Sequence, residues 1–179
     1  TRRSSDLTGA TIYTSDVEGQ IASALMYVTN EDLPVMYVMN GNGESALTDV
    51  QRSLISKNNV DLVEFDVLTA KSVPEDCDIL LINYPSYDFT ESQTELVKSY
   101  LSQGGKVILN LNYVTAEFNN LNSLLNYYGV EMVPGIIYET DSRYYSQNLP
   151  YCLLPQMADH EITAEIQGVK RLFVPQATG

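Results

Sequence analysis

The sequence has 179 residues, 44% of them hydrophobic and 18% charged, with 7 prolines and 10 glycines, proportions that fit one folded domain and exclude disordered and fibrous classes. Acidic residues outnumber basic ones 23 to 10, and the net charge of -13 argues against binding nucleic acid or lying on an acidic membrane surface. Two cysteines without CxxC spacing, Cys77 and Cys152, exclude a disulfide scaffold and a zinc cluster, though their pairing stays open, and no apolar run reaches the ~18 residues of a membrane span.

In chain order, "ATIYT" (10–14) alternates as a strand does. In the following stretch Ile21, Leu25 and Val28 recur at spacings of four and three, which predicts a helix to about residue 29 with Ser15 or Asp16 as its cap. "LPVMYVM" (33–39) is apolar almost throughout, so we expect a strand covered on both faces. "ESALTDVQRSLISKNN" puts Leu47, Val50, Leu54 and Ile55 on one stripe of a helix that stops near Lys57. "VDLVEFDV" (60–67) suits a strand nearer a sheet edge, and "DILLINYP" a buried strand broken by Pro85.

The clearest helix is "DFTESQTELVKSYLSQGG". Thr90 is its cap, Gln93 holds the capping-box position, Leu96, Val97, Tyr100 and Leu101 form the apolar stripe, and Gly104 and Gly105 end it. "KVILNLN" (106–112) is expected as another buried strand. A helix with Phe118, Leu121, Leu124 and Leu125 inward follows, ending at Gly129. Beyond it lies a tyrosine-rich, partly irregular excursion over about 134–160, with short strands at 130–133 and 136–138, and "VKRLFVP" (169–175) closes as a last strand. Alternation of strand and helix predicts an α/β fold: a three-layer sandwich with a mainly parallel sheet, of the doubly wound, flavodoxin-like kind.

In such a sheet, ligands bind beyond the carboxyl ends of the strands where the strand order reverses. Three loops qualify, "NGNGES", "NYPSYDFT" and "NLNYVTAE", and their residues are expected to be neighbours. The first lacks the lysine of a Walker loop and the third glycine of a dinucleotide fingerprint. It reads as a tight turn, with Gly41 and Gly43 at positive φ and Glu44 at the N-terminus of its helix, where a carboxylate occupies the amides an anion would need. We therefore expect no cofactor.

The parts for nucleophilic catalysis are missing. His160, the single histidine, lies far along the chain from both cysteines and reads as a helix-entry or surface residue, and "YPSYD" around Ser86 is no GxSxG elbow. Asp76 and Asp78 precede a buried strand, and Glu91 and Glu95 share a solvated helix face, so neither pair is expected to hold a metal. No catalytic residue is assigned, and the candidate ligand- or partner-binding residues are Asn40, Gly41, Asn42, Gly43, Glu44, Tyr84, Pro85, Ser86, Tyr87 and Asn112. Two alternatives stay open: an enzyme using Glu44 as acid or base, and a carbohydrate-binding module using the tyrosines from Tyr138 to Tyr151, Tyr144 among them.

The succession "IASALMYVTNEDLP", "NGNGES", "VPEDCDILLINYPSYDFTESQTELVKSYLSQGGKVILNLN", "LNSLLNYYGVEMVPGIIYE" and "DHEIT" resembles, over residues about 20 to 175, the soluble domain of the GldG-like family. These proteins are auxiliary components of ABC-type transport systems first associated with gliding motility. Asn42 stands where the family often has histidine in a GHGE turn, and Glu161 replaces the proline of its HPIT-like stretch. The resemblance implies a class I glutamine-amidotransferase-like sandwich without the catalytic cysteine, akin to a domain of some intraflagellar-transport proteins. It further implies permease and ATPase subunits as partners, and an extracytoplasmic domain held by transmembrane helices outside this stretch. The missing initiator Met and the abrupt end at Ala177-Thr178-Gly179 agree with a piece of a longer, membrane-anchored protein.

Overall fold

Four parallel strands in the order β4-β3-β5-β6 organise the computed structural model: β3 (Val35–Asn40), β4 (Asp61–Asp66), β5 (Ile79–Asn83) and β6 (Lys106–Asn110). The structure describes the backbone of residues 2–5 and 11–14, single positions at 17, 21, 24, 25 and 28, and residues 33–113, 117–133, 135–164 and 172–178. β1 (Arg2–Ser5) and β2 (Thr11–Thr14) form a separate antiparallel pair, so the strand expected at 10–14 is present but is no member of the parallel sheet. The helix expected over 15–29 is helical at Val17, Ile21, Ala24, Leu25 and Val28, and its other positions lie outside the described residues.

Helices lie on both faces of the parallel sheet. α1 (Asp49–Lys57) joins β3 to β4, α2 (Glu91–Ser102) joins β5 to β6, and α3 (Asn119–Tyr127) follows β6. Because side chains alternate along a strand, β3 sends Tyr37 and Met39 one way and Met36 and Val38 the other. Tyr37 and Met39 join Leu80, Ile82, Val97, Leu121 and Leu124 in the larger core, under α2 and α3. Met36 and Val38 pack with Leu47, Leu81 and Ile55 in the smaller core, on the side of α1. The two crossovers leave the centre of the sheet in opposite directions, so a shared handedness sends their helices to opposite faces.

Local signals hold for α2. Thr90 Oγ1 accepts from Gln93 N while Gln93 Oε1 accepts from Thr90 N, a complete capping box. The paired glycines after it serve different needs. Gly104 has φ +92, whereas Gly105 makes room for the Tyr100 ring, which a Cβ there would meet at 2.5 Å.

Several expectations need correction. α1 begins at Asp49, with Thr48 and Gln51 forming its capping box, so residues 44–47 precede the helix. Its expected stripe is also narrower, because Val50 and Leu54 are 51% and 47% exposed and, among the described residues, Leu47 and Ile55 are the stripe positions that reach the core. β6 is an edge strand and leaves Ile108 exposed, so it is not buried on both faces. No strand forms at 130–133 or 136–138 among the described residues; these stretches bond singly, as from Ile137 N to Ala177 O. The excursion instead contains an antiparallel hairpin, β7 (Tyr145–Ser146) and β8 (Leu149–Leu153), turned by Gln147 and Asn148, both at positive φ. The last strand shrinks to β9 (Val174–Pro175), which pairs with β8 and not with the parallel sheet; residues 169–171 of that expectation lie outside the described residues. A short helix, α4 (Glu161–Ala164), precedes it.

Candidate functional site

The strand order reverses between β3 and β5: the chain steps outward from β3 to β4, then returns across β3 to start β5. The loops leaving these two strands are those that carry most of the candidate residues. Gly41 (φ +137) and Gly43 (φ +70) both adopt left-handed backbone, and both are crowded, since a Cβ would lie 2.8 Å from Val67 at the first and 2.9 Å from the Tyr87 ring at the second. Between them Asn42 is only 4% exposed.

Hydrogen bonds knit the two loops into a seam. The Asn42 carbonyl accepts from the amides of Ser86 and Tyr87, both at 2.9 Å, and the Ser86 hydroxyl donates to Gly43 O at 2.9 Å. Ser45 N donates to Asn83 O at 2.8 Å, and the Asn83 side-chain amide donates back to Ser45 O at 2.6 Å. Asn110 extends this pattern by donating to Asn83 Oδ1 at 3.0 Å. Glu44 does not reach α1: its carboxylate accepts from Asn42 N at 2.8 Å. The reason is the late start of the helix, which leaves the carboxylate closer to its own turn than to the first amides of α1.

The remaining candidates divide between this seam and the space beside it. Asn40 donates from its amide to Glu64 Oε2 at 2.6 Å, on the side of the sheet where Arg52 bonds the same carboxylate. Those two hydrogen bonds, from Arg52 first and then Asn40, hold the Glu64 carboxyl below the usual carboxylate range. Pro85 is buried, whereas Tyr87 is exposed. Tyr84 and Asn112 line a groove of about 790 Å³ beyond β5 and β6, with Leu109, Leu125, Met132 and Phe173 among its other walls. Tyr84 itself has φ +52, and its amide donates to Asn110 O at 2.9 Å.

Sequence reasoning missed the far wall of this groove, because residues 130–132 and 173–178 are brought to it by tertiary contacts with no local motif. It also missed Asp88, whose carboxylate accepts from Asn120 N and Leu121 N, both at 3.0 Å, and so caps α3 from another loop. The one available sign was negative: Phe118 occupies the N-cap of α3 and offers no capping side chain.

The other titratable groups read as structural. Asp78 accepts from Val35 N at 2.8 Å, and Asp76 accepts from the buried Tyr37 hydroxyl at 3.0 Å. Glu91 and Glu95 are exposed. Both cysteines are free and buried, and burial pushes the Cys77 thiol above its ordinary value, the reverse of an activated nucleophile. His160 is exposed at the entry to α4. No group of acidic, histidine and cysteine side chains suited to a metal occurs among the described residues. Part of the tyrosine-rich segment lines a smaller cleft of about 310 Å³ with Tyr138, Glu139, Tyr144 and Gln156.

A family model described as "ABC-type uncharacterized transport system", of auxiliary components, matches residues 28–176. The chain belongs to this family. The matched span of the auxiliary component takes in the whole parallel sheet, the seam and all but the outermost lining of the groove. Among solved structures, one titled "mmIFT52 N-terminal domain" is similar with a TM-score of 0.61 and 19% identity, covering 80% of this chain and 66% of that one. At that identity the likeness speaks for the fold alone, and the chain spans about two thirds of that domain's length. A search of curated proteins returns no match. Among the described residues no helix is long and apolar enough to cross a membrane.

Proposed function

We propose that the chain is a non-enzymatic, extracytoplasmic domain of a GldG-like auxiliary component, held at the membrane by helices outside this stretch. In this reading its flavodoxin-like, class I glutamine-amidotransferase-like sandwich docks the permease subunit, and through it serves the ATPase, at the end of the sheet bounded by residues 40–44, 84–87 and Asn112. The observation that carries the reading is the groove itself. It opens beside the switch point, where parallel sheets bind their ligands, and Tyr84 and Asn112 stand in its wall.

An amidotransferase-like or sugar-processing role for Glu44 is disfavoured by its geometry, since its carboxylate is bonded within its own turn. A nucleotide is disfavoured for a related reason: the amides of Asn42, Ser45, Ser86 and Tyr87 already have acceptors. Co-purification of the full-length protein with its permease and ATPase tests the proposal. Recovery of both subunits is expected, and recovery of neither from intact membranes overturns it.

A further inference from the structure

The chemistry of the groove narrows what it takes. Its walls are largely apolar, and among the described lining residues Glu131 is the single acidic side chain and none is a lysine or arginine. In a chain of net charge -13, an anionic occupant would be desolvated against like charge, whereas a cationic one meets a counter-charge. The rim is apolar too, with Val130 and Phe173 about half exposed. An open trough with such a rim is covered better by a protein segment than by a small molecule, which favours an enclosed pocket.

Tyr84 adds an independent observation. An aromatic residue in left-handed backbone is a conformational outlier, and conformations of this kind persist where the surrounding structure over-determines them. Here the bond from Tyr84 N to Asn110 O and the seam at Ser86 and Tyr87 hold the backbone, while the residue, which lines the groove, stays 39% exposed. Glycine would adopt this backbone freely, so the tyrosine sits here at a conformational cost. A rigid ring with a polar tip is well suited to anchor an apolar segment and to receive a cation on its face.

We propose that the groove docks an apolar segment of a partner protein that carries a lysine or arginine, with the Tyr84 ring as anchor and Glu131 as counter-charge. The proposal rests on the reading above that this end of the sheet is the binding end. The test uses fluorescence anisotropy of the purified chain with two labelled synthetic peptides of alternating leucine and serine, one with a central arginine pair and the other with a glutamate pair. The arginine peptide is expected to bind at least about tenfold more tightly, a preference that Glu131→Gln abolishes. Tyr84→Gly is expected to weaken binding about tenfold while melting no lower than the parent chain, because glycine relieves the backbone.

Equal affinity for the two peptides, binding of neither, or a Tyr84→Gly chain that loses stability together with binding overturns the proposal. So does a dimer in sedimentation that Tyr84→Gly dissociates, since a second copy would then fill the groove. If the subunits co-purify undiminished with Tyr84→Gly, the groove proposal fails and the transport reading stands. If the peptide preference holds while no subunit is captured, the transport reading fails and the groove proposal stands.

Discussion

The carboxylate of Glu44 accepts a 2.8 Å hydrogen bond from the backbone N–H of Asn42, two residues before it. A turn that closes on itself in this way stabilises the crossing of the two loops at the switch point and leaves its own amide with no site for an anion. Glu44→Ala is expected to destabilise the chain by about 1–2 kcal/mol, the usual effect of losing a charge-assisted bond to a partly buried amide. Urea denaturation with an unchanged slope checks this, together with faster hydrogen exchange at the Asn42 amide; unchanged exchange would remove the bond from the account.

Asp88 acts similarly at longer range. Its carboxylate takes up two of the N-terminal amides of α3, which Phe118 cannot serve. Asp88→Ala is therefore expected to cost about 1–2 kcal/mol and to raise exchange selectively at Asn120 and Leu121. Uniform loosening of the whole chain, with no excess at these two amides, would contradict a capping role.

The Arg52–Glu64 pair, 2.6 Å apart with both side chains partly exposed, makes stability depend on pH at the acidic end. Arg52 first, and Asn40 second, lower the folded-state pKa of Glu64 from 4.5. A depressed carboxylate contributes above its unfolded pKa and loses that contribution as pH falls through the folded value. The stability difference between the parent chain and Glu64→Gln should thus be present at neutral pH and shrink as pH drops below about 4.5. Solvent screening limits it to roughly 0.2–1 kcal/mol, and added salt should reduce it further.

Tyr100 gives the opposite sign at the alkaline end. Its hydroxyl lies 3.2 Å from the carbonyls of both Cys77 and Lys106 and accepts from Lys106 N at 3.1 Å, and burial, then the Cys77 contact, push its pKa from 10.0 to about 12. A raised pKa contributes below the unfolded value and is lost as pH climbs through the folded one, so this part of the stability fades between pH 10.0 and about 12. Absorbance titration should show tyrosines that ionise late, since burial and then Asp76 also raise Tyr37, and Tyr100→Phe should remove one tyrosine's worth of the late amplitude.

Gly105→Ala tests the same corner sterically. The added methyl would sit 2.5 Å from the Tyr100 ring, and the expected loss of about 1–3 kcal/mol should largely disappear in a Gly105→Ala, Tyr100→Ala double variant measured against Tyr100→Ala. Additive effects would show that the ring is not what excludes the methyl.

The sequence by itself determined those features whose causes are local. The apolar run of β3, the edge character of β4, the capping box of Thr90 and Gln93 and the stop at Gly104 all depend on residues a few positions apart. The order of such pieces was enough to point to the transport-auxiliary family. The stripe expected for α1 was half wrong because periodicity shows which residues could face a core, and not how much core the tertiary structure supplies; Val50 and Leu54 stay about half exposed.

Only the tertiary structure decided the rest. Whether Glu44 serves a helix or its own turn depends on where Thr48 starts that helix, and the cap on α3 comes from a residue more than 30 positions away. The groove joins Tyr84, Leu109, Glu131 and Phe173, segments with no shared local pattern. Their juxtaposition follows from strand order and loop closure, long-range contacts that side-chain periodicity along the chain does not encode.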